Sequence, residues 1–174
     1  MKVSRRDFIK LGSGILGLSL LSSINTAEAI EYFSDIPKLP EKLEKNIYYT
    51  AHIENNGWTP WSSDGSLCGT PDNKRPIGAM AIKLNGGIAS YEAYLRELSW
   101  TDWYGNGDVC GFINGGQPWV AFKVTLSKGR VIYRAHFYDS GWTEWYKSGK
   151  TCGFPGKNKI MNAVEIKCET CFMV

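Results

Sequence analysis

The chain has no long run of one charge, only two histidines, and no helical periodicity through its larger, C-terminal part. Each scarcity narrows the function. Lys and Arg number 20 against 17 Asp and Glu. Most of the formal net charge of +3 falls in the first 29 residues, where Lys2, Arg5, Arg6 and Lys10 outnumber Asp7 and Glu28. The remainder is close to neutral and holds no Lys/Arg cluster, basic helix or nucleic-acid motif, which argues against a nucleic-acid partner. His52 and His136 stand far apart with no ligand motif around them, so neither a metal nor another cofactor is expected. No H-E-x-x-H, G-x-S-x-G or Ser-His-Asp arrangement accompanies them.

What the chain does have is a block written three times with a period of 42 residues. Trp58, Trp100 and Trp142 keep that interval, as do Trp61, Trp103 and Trp145, then Gly65, Gly107 and Gly149. Cys68-Gly69, Cys110-Gly111 and Cys152-Gly153 keep it too, and no residue is inserted or lost between copies. Such a period marks one supersecondary unit that cannot bury its own apolar face and needs its neighbours.

Aligned, the copies read as β structure. Residues 47–53, 89–95 and 131–137 alternate, with one face Ile/Ala/Val, Tyr, Ala, Ile/Leu/Phe and a variable face on which Thr50, Glu92 and Arg134 share a position. The closing segments alternate likewise, placing Met80, Ile82 and Leu84 in line with Phe122, Val124 and Leu126 and with Val164, Ile166 and Cys168. Asn85-Gly86-Gly87 and Ser127-Lys128-Gly129 are short links between copies and predict antiparallel hairpins across the repeat boundaries. Between the long strands, two further short strands are expected around Asp64-Gly65, Asn106-Gly107 and Ser148-Gly149. The outer copies are as regular as the middle one, unlike the capping repeats of a solenoid. The expectation is therefore an all-β, closed three-fold pseudo-symmetric fold, with a β-trefoil preferred over a β-prism on the strength of the boundary hairpins.

Three segments divide the chain. Ser4-Arg5-Arg6-Asp7-Phe8-Ile9-Lys10, an apolar stretch from Leu11 to Ile24 and Ala27-Glu28-Ala29 resemble a twin-arginine export signal over residues 1–29. The apolar stretch is shorter than the ~20 residues a bilayer needs, so no membrane span is expected once it is removed. Residues 30–46, with Pro37 and Pro40 among Lys and Glu, read as an arm or linker. Residues 47–174 hold the repeats, at about 47–88, 89–130 and 131–172. Export across the inner membrane, to the periplasm, the medium or the cell surface, is the expected route.

The spaced motif Tyr-x-Ala-His-x-x-x-x-Gly-Trp-x-x-Trp-x-x-x-Gly-x-x-x-Gly, closing in an apolar Ala-x-x-Ile strand, resembles the clostridial hydrophobic repeat with a conserved tryptophan. The resemblance spans residues 47–168 in three tandem copies. It implies an exported or cell-surface protein whose repeats bind carbohydrate or protein. This chain departs from the pattern at Cys68, Cys110 and Cys152, where the family has Ala, at Tyr94 in place of His, and at Ser99 in place of Gly.

The candidate ligand contacts follow from the repeat. A spacing of three puts the paired tryptophans on opposite faces of an extended segment, so Trp61, Trp103 and Trp145 are candidates to be exposed and to stack on a sugar ring. His52, Tyr94 and His136 on the variable strand face, and Asp64 and Asn106 at the turns, would line the same sites. Ser148 occupies the third turn position. The carboxylates Glu54, Glu97 and Asp139 fall out of register, and Asp102 and Glu144 face Pro60 in the first copy. They do not form the fixed pair a glycosidase requires, so no enzyme is expected. Five cysteines leave at least one unpaired. Cys68, Cys110 and Cys152 read as small buried residues, and Cys168 either as core or as a local partner of Cys171. The reading is an exported non-catalytic module that binds extracellular or cell-wall carbohydrate through shallow Trp-lined sites. Its alternative is a structural or protein–protein adhesion module with every tryptophan in the core.

Overall fold

The computed structural model describes residues 36–113 and 116–171. Arg5 and Arg6, the whole 1–29 segment and residues 30–35 lie outside that range. Alternating sequence becomes strand wherever it was expected. β1 (Ile47–Ile53), β2 (Gly57–Trp58), β3 (Ser62–Ser63), β4 (Cys68–Gly69) and β5 (Ile77–Leu84) form the first copy. β6 (Ala89–Leu95), β7 (Cys110–Gly111) and β8 (Trp119–Leu126) form the second. β9 (Val131–Phe137), β10 (Gly141–Trp142), β11 (Tyr146–Lys147), β12 (Cys152–Gly153) and β13 (Met161–Cys168) form the third.

Pairing differs from the expected boundary hairpins. The first and last strands of the same copy run antiparallel along their whole length: β1 with β5, β6 with β8, and β9 with β13. The free edge of each last strand then takes the two-residue Cys-Gly strand of another copy. β5 takes β7, β8 takes β12, and β13 takes β4. Both edges of β5 and of β8 are thus occupied, which leaves no edge for the first strand of the next repeat. The links at 85–87 and 127–129 therefore turn a corner between sheets instead of closing a hairpin.

The closed trefoil or prism is corrected for the same reason. Three similar but open sheets are present, ordered β2-β1-β5-β7, β10-β9-β13-β4 and β12-β8-β6, with β3 and β11 added on β1 and β9. None carries its ladder into the next. Each inter-copy ladder stops after two residues because of its glycine. Gly69, Gly111 and Gly153 have φ of 120°, 110° and 113°, and a Cβ on them would lie 2.3–2.4 Å from the carbonyl oxygens of Asn162, Gly78 and Val120. Those three carbonyls belong to one repeat position, at the bulge where each long pair shifts register. The next residue's N–H closes onto the same carbonyl: Thr70 on Asn162, Phe112 on Gly78 and Phe154 on Val120, at 2.7–2.8 Å. The glycine is fixed by both backbone conformation and close approach.

The inward faces meet in one core. Tyr49, Tyr91 and Tyr133 are fully buried at equivalent positions, and Phe122 packs on Trp119 and on Tyr133 at ring distances of 5.8 and 5.1 Å. Each tyrosine hydroxyl donates to a loop carbonyl, on Ser66, Asp108 and Lys150, which satisfies the buried polar end. The half-buried strand pattern holds best in β9, which alternates strictly, and least in β1, where every residue is buried. The variable face of β1 has a cover of its own, described next.

Candidate functional site

Each copy folds its Trp-Thr-x-Trp segment back along the free edge of its first strand. The threonine fixes that return. Thr59, Thr101 and Thr143 donate their N–H to the carbonyls of Ala51, Ala93 and Ala135 at 2.8 Å. Their hydroxyls accept the N–H of the same alanines at 3.1–3.2 Å. The hydroxyls also sit 3.3–3.6 Å from the thiols of Cys68, Cys110 and Cys152. Burial pushes the Cys68 thiol up to about 11 and the Cys152 thiol up to about 12, so both stay protonated and unreactive near neutrality. This threonine row was not singled out in the sequence; its 42-residue spacing was the available signal.

The latch lays the first tryptophan of each pair against the residue expected to line a ligand site. His52 meets Trp58 edge-on at 5.5 Å, Tyr94 meets Trp100 at 5.5 Å, and His136 meets Trp142 at 5.2 Å. His52 is buried and the other two are half-buried. His136 is further held at Nδ1, 2.7 Å from the Asn162 amide oxygen, while Asn162 donates to the carbonyls of Pro71 and Asn73. That bridge ties the third copy to a loop of the first. Where Ser99 replaces glycine, the β2-type pair shrinks to an isolated Tyr94–Trp100 bridge. Gly57 and Gly141 have φ of 85° and 73°, a region costly for serine.

A charged pair completes the cover in two copies. Glu92 and Lys123 face each other across β6 and β8 at 2.7 Å, and the Lys123 ammonium lies 3.9 Å from the centre of the Trp100 ring. In the third copy the order is reversed. Arg134 on β9 pairs with Glu165 on β13 at 2.7 Å, and its guanidinium sits 4.6 Å from Trp142 and 4.7 Å from Trp145. Either arrangement lays a cation over an indole face. The first copy has Thr50 opposite Ala81 and no charge.

There the N-terminal arm supplies the cover. Trp61 donates its indole N–H to the Pro37 carbonyl at 2.6 Å. Tyr48 accepts the N–H groups of Glu44 and Lys45, and Asn85 donates to the Leu43 carbonyl at 3.1 Å. Trp61 is half-buried, whereas Trp103 and Trp145 are 41% and 39% exposed. Trp58, Trp61, Trp100 and Trp142 are half-buried and Trp103 and Trp145 exposed, so neither an all-core set nor three like open sites describes the repeated tryptophans.

The turn residues are also engaged within the chain. Asp64 accepts the Asn46 N–H at 3.0 Å. Asn106 accepts from the N–H groups of Leu84 and Ala89 and donates to the Gly87 carbonyl. Ser148 accepts the Val131 N–H at 3.1 Å. These are caps that hold the start of each first strand. Among the described residues, no three His, Cys, Asp or Glu side chains gather as a metal set would require. No described helix is long and apolar enough to cross a membrane. Cys168 and Cys171 form a disulfide, and Cys68, Cys110 and Cys152 are buried and outside it.

These features define an all-β module of three similar sheets with a buried aromatic cluster. Residues 52–86, from His52 through both tryptophans and Cys68-Gly69 to the end of β5, match the family described as Clostridial hydrophobic W. The likeness covers most of the first copy; beyond it the 42-residue repeat alone extends the pattern. No curated protein and no solved structure matches the chain.

Proposed function

We propose that the chain is a non-catalytic structural or protein-adhesion module, acting outside the cytoplasm after export directed by residues 1–29. The observation that carries this reading is the use of the repeated polar and aromatic rows inside the chain. His52, Tyr94, His136, Asp64 and Asn106 support strands and rings. A sugar site needs hydroxyl-orienting groups beside an exposed ring, and Asp64, Asn106 and His136 instead direct hydrogen-bonding groups to Asn46, to Leu84, Ala89 and Gly87, and to Asn162. Trp103 and Trp145 are the residues we place at the partner surface, since large exposed aromatics anchor protein contacts. In this reading the second and third copies are further units of the same kind as the first, the partner is a surface protein, and no nucleic acid is involved.

A panel of cell-wall and extracellular polysaccharides tests the choice. The proposal expects no retention on any of them, with Trp103→Ala and Trp145→Ala making no difference there. Both variants should instead reduce adhesion to a protein-coated surface taken from the same cell envelope. Retention by one polysaccharide that is lost in either variant would overturn the proposal in favour of sugar binding.

A further inference from the structure

The arm on Trp61 is an occupied version of sites that the other copies leave open. Residues 37–40 carry two prolines and belong to neither helix nor strand, yet they are held against the first copy. The contact is specific: a backbone carbonyl, on Pro37, receives the indole N–H at 2.6 Å. Trp103 and Trp145 occupy the same repeat position, follow the same threonine latch, and stand about 40% exposed. In copies two and three the residues before the first strand are the short links at 85–88 and 127–130, too short to fold back as the arm does. Among the described residues, no segment covers them as Pro37 covers Trp61.

We infer that Trp103 and Trp145 each receive an extended, proline-bearing segment of a protein partner, which presents a carbonyl to the indole N–H as Pro37 does to Trp61. This rests on the adhesion reading and names its partner chemistry. Proline suits the task because its fixed φ leaves little chain entropy to lose on docking, and because the segment stays extended with its carbonyls free. Flat aromatic side chains are general receptors for such segments. In the third copy Arg134 packs on Trp145 and fixes its ring, so that site is the more rigid of the two. Among the described residues, Trp103 has no such clamp, and the cation of its copy, Lys123, lies over Trp100 instead. Trp145 is therefore the tighter site.

The probe is the protein's own arm supplied in trans, a synthetic peptide of residues 36–45, against the full chain labelled with nitrogen-15. Saturable shifts are expected in the indole N–H signals of Trp103 and Trp145, at peptide concentrations of about a millimolar. Trp61, already occupied, should not move. A control peptide with Ala for both Pro37 and Pro40 should bind on the order of 5-fold more weakly. Trp103→Ala and Trp145→Ala should each remove one site, and deletion of residues 36–41 should add Trp61 as a third. Cello- and chito-oligosaccharides are titrated in parallel. If neither peptide nor sugar moves Trp103 and Trp145, this inference falls and the adhesion reading stands. If sugars move them and the peptide does not, both fall.

Discussion

The first and third copies share a motif, a sheet and a latch, but they finish their outer face in different ways. In the first, Thr50 and Ala81 leave an uncharged surface, and the arm closes over Trp61. In the third, Arg134 bridges to Glu165 and lies against both tryptophans, leaving Trp145 open. The second copy reaches the same end with the ion pair reversed. What the three hold in common is therefore the inner half of each unit, and what distinguishes them is the cover. A repeated tryptophan is one structural position with two surface fates.

The comparison can be broken most severely at the shared half. Gly111→Ala places a methyl 2.3 Å from the Gly78 carbonyl at a φ of 110°, and should cost on the order of 3 kcal/mol in chemical denaturation. Equal losses are expected from Gly69→Ala and Gly153→Ala; a near-neutral effect at any one would show that its inter-copy contact is dispensable. Thr101→Val comes next, because it strips the acceptor from the buried Ala93 N–H, and about 1–3 kcal/mol should be lost.

At the covers the copies should diverge. Trp61→Ala should lower stability by about 1–2 kcal/mol through lost burial and the lost bond to Pro37. Trp103→Ala should change it by no more than about 0.5 kcal/mol. Equal losses at the two positions would erase the distinction between occupied and open sites.

The last effect is one of pH, absent near neutrality, and belongs again to what the copies share. The buried thiols of Cys68 and Cys152 are raised from an ordinary 9.0 to about 11 and about 12, and burial also raises the hydroxyls of Tyr49, Tyr91 and Tyr133. The unfolded chain therefore releases these protons at lower pH than the folded one. Stability should be complete below about pH 9 and fall as pH rises toward 11 and 12. Native thiol labelling should stay negligible at neutral pH and appear only with that loss. A fast-reacting thiol at pH 7 in the folded chain would contradict the burial described.

The inner half was legible in the sequence because the repeat averages away the accidents of any one copy. Tyr49, Tyr91 and Tyr133 on one face, and the Cys-Gly row at a tight approach, declare themselves at a fixed spacing. Strand partners did not. Short links such as Asn85-Gly86-Gly87 fit a hairpin and a corner equally well, and only the long-range demand of β1 for β5 decides between them. The arm was read from its prolines, but its contact with Trp61 was not, because Pro37 acts through its backbone carbonyl, which no side-chain motif records. Thr50, Glu92 and Arg134 looked merely variable. Each in fact belongs to a matched pair with Ala81, Lys123 or Glu165.

Hydrogen exchange at the individual indole N–H groups tests the central claim most directly, that one tryptophan position is covered in the first copy and open in the other two. The account predicts unprotected exchange at Trp103 and Trp145, clear protection at Trp61, and loss of that protection once residues 36–41 are deleted. Exchange at Trp61 as fast as at Trp103 in the intact chain would contradict it.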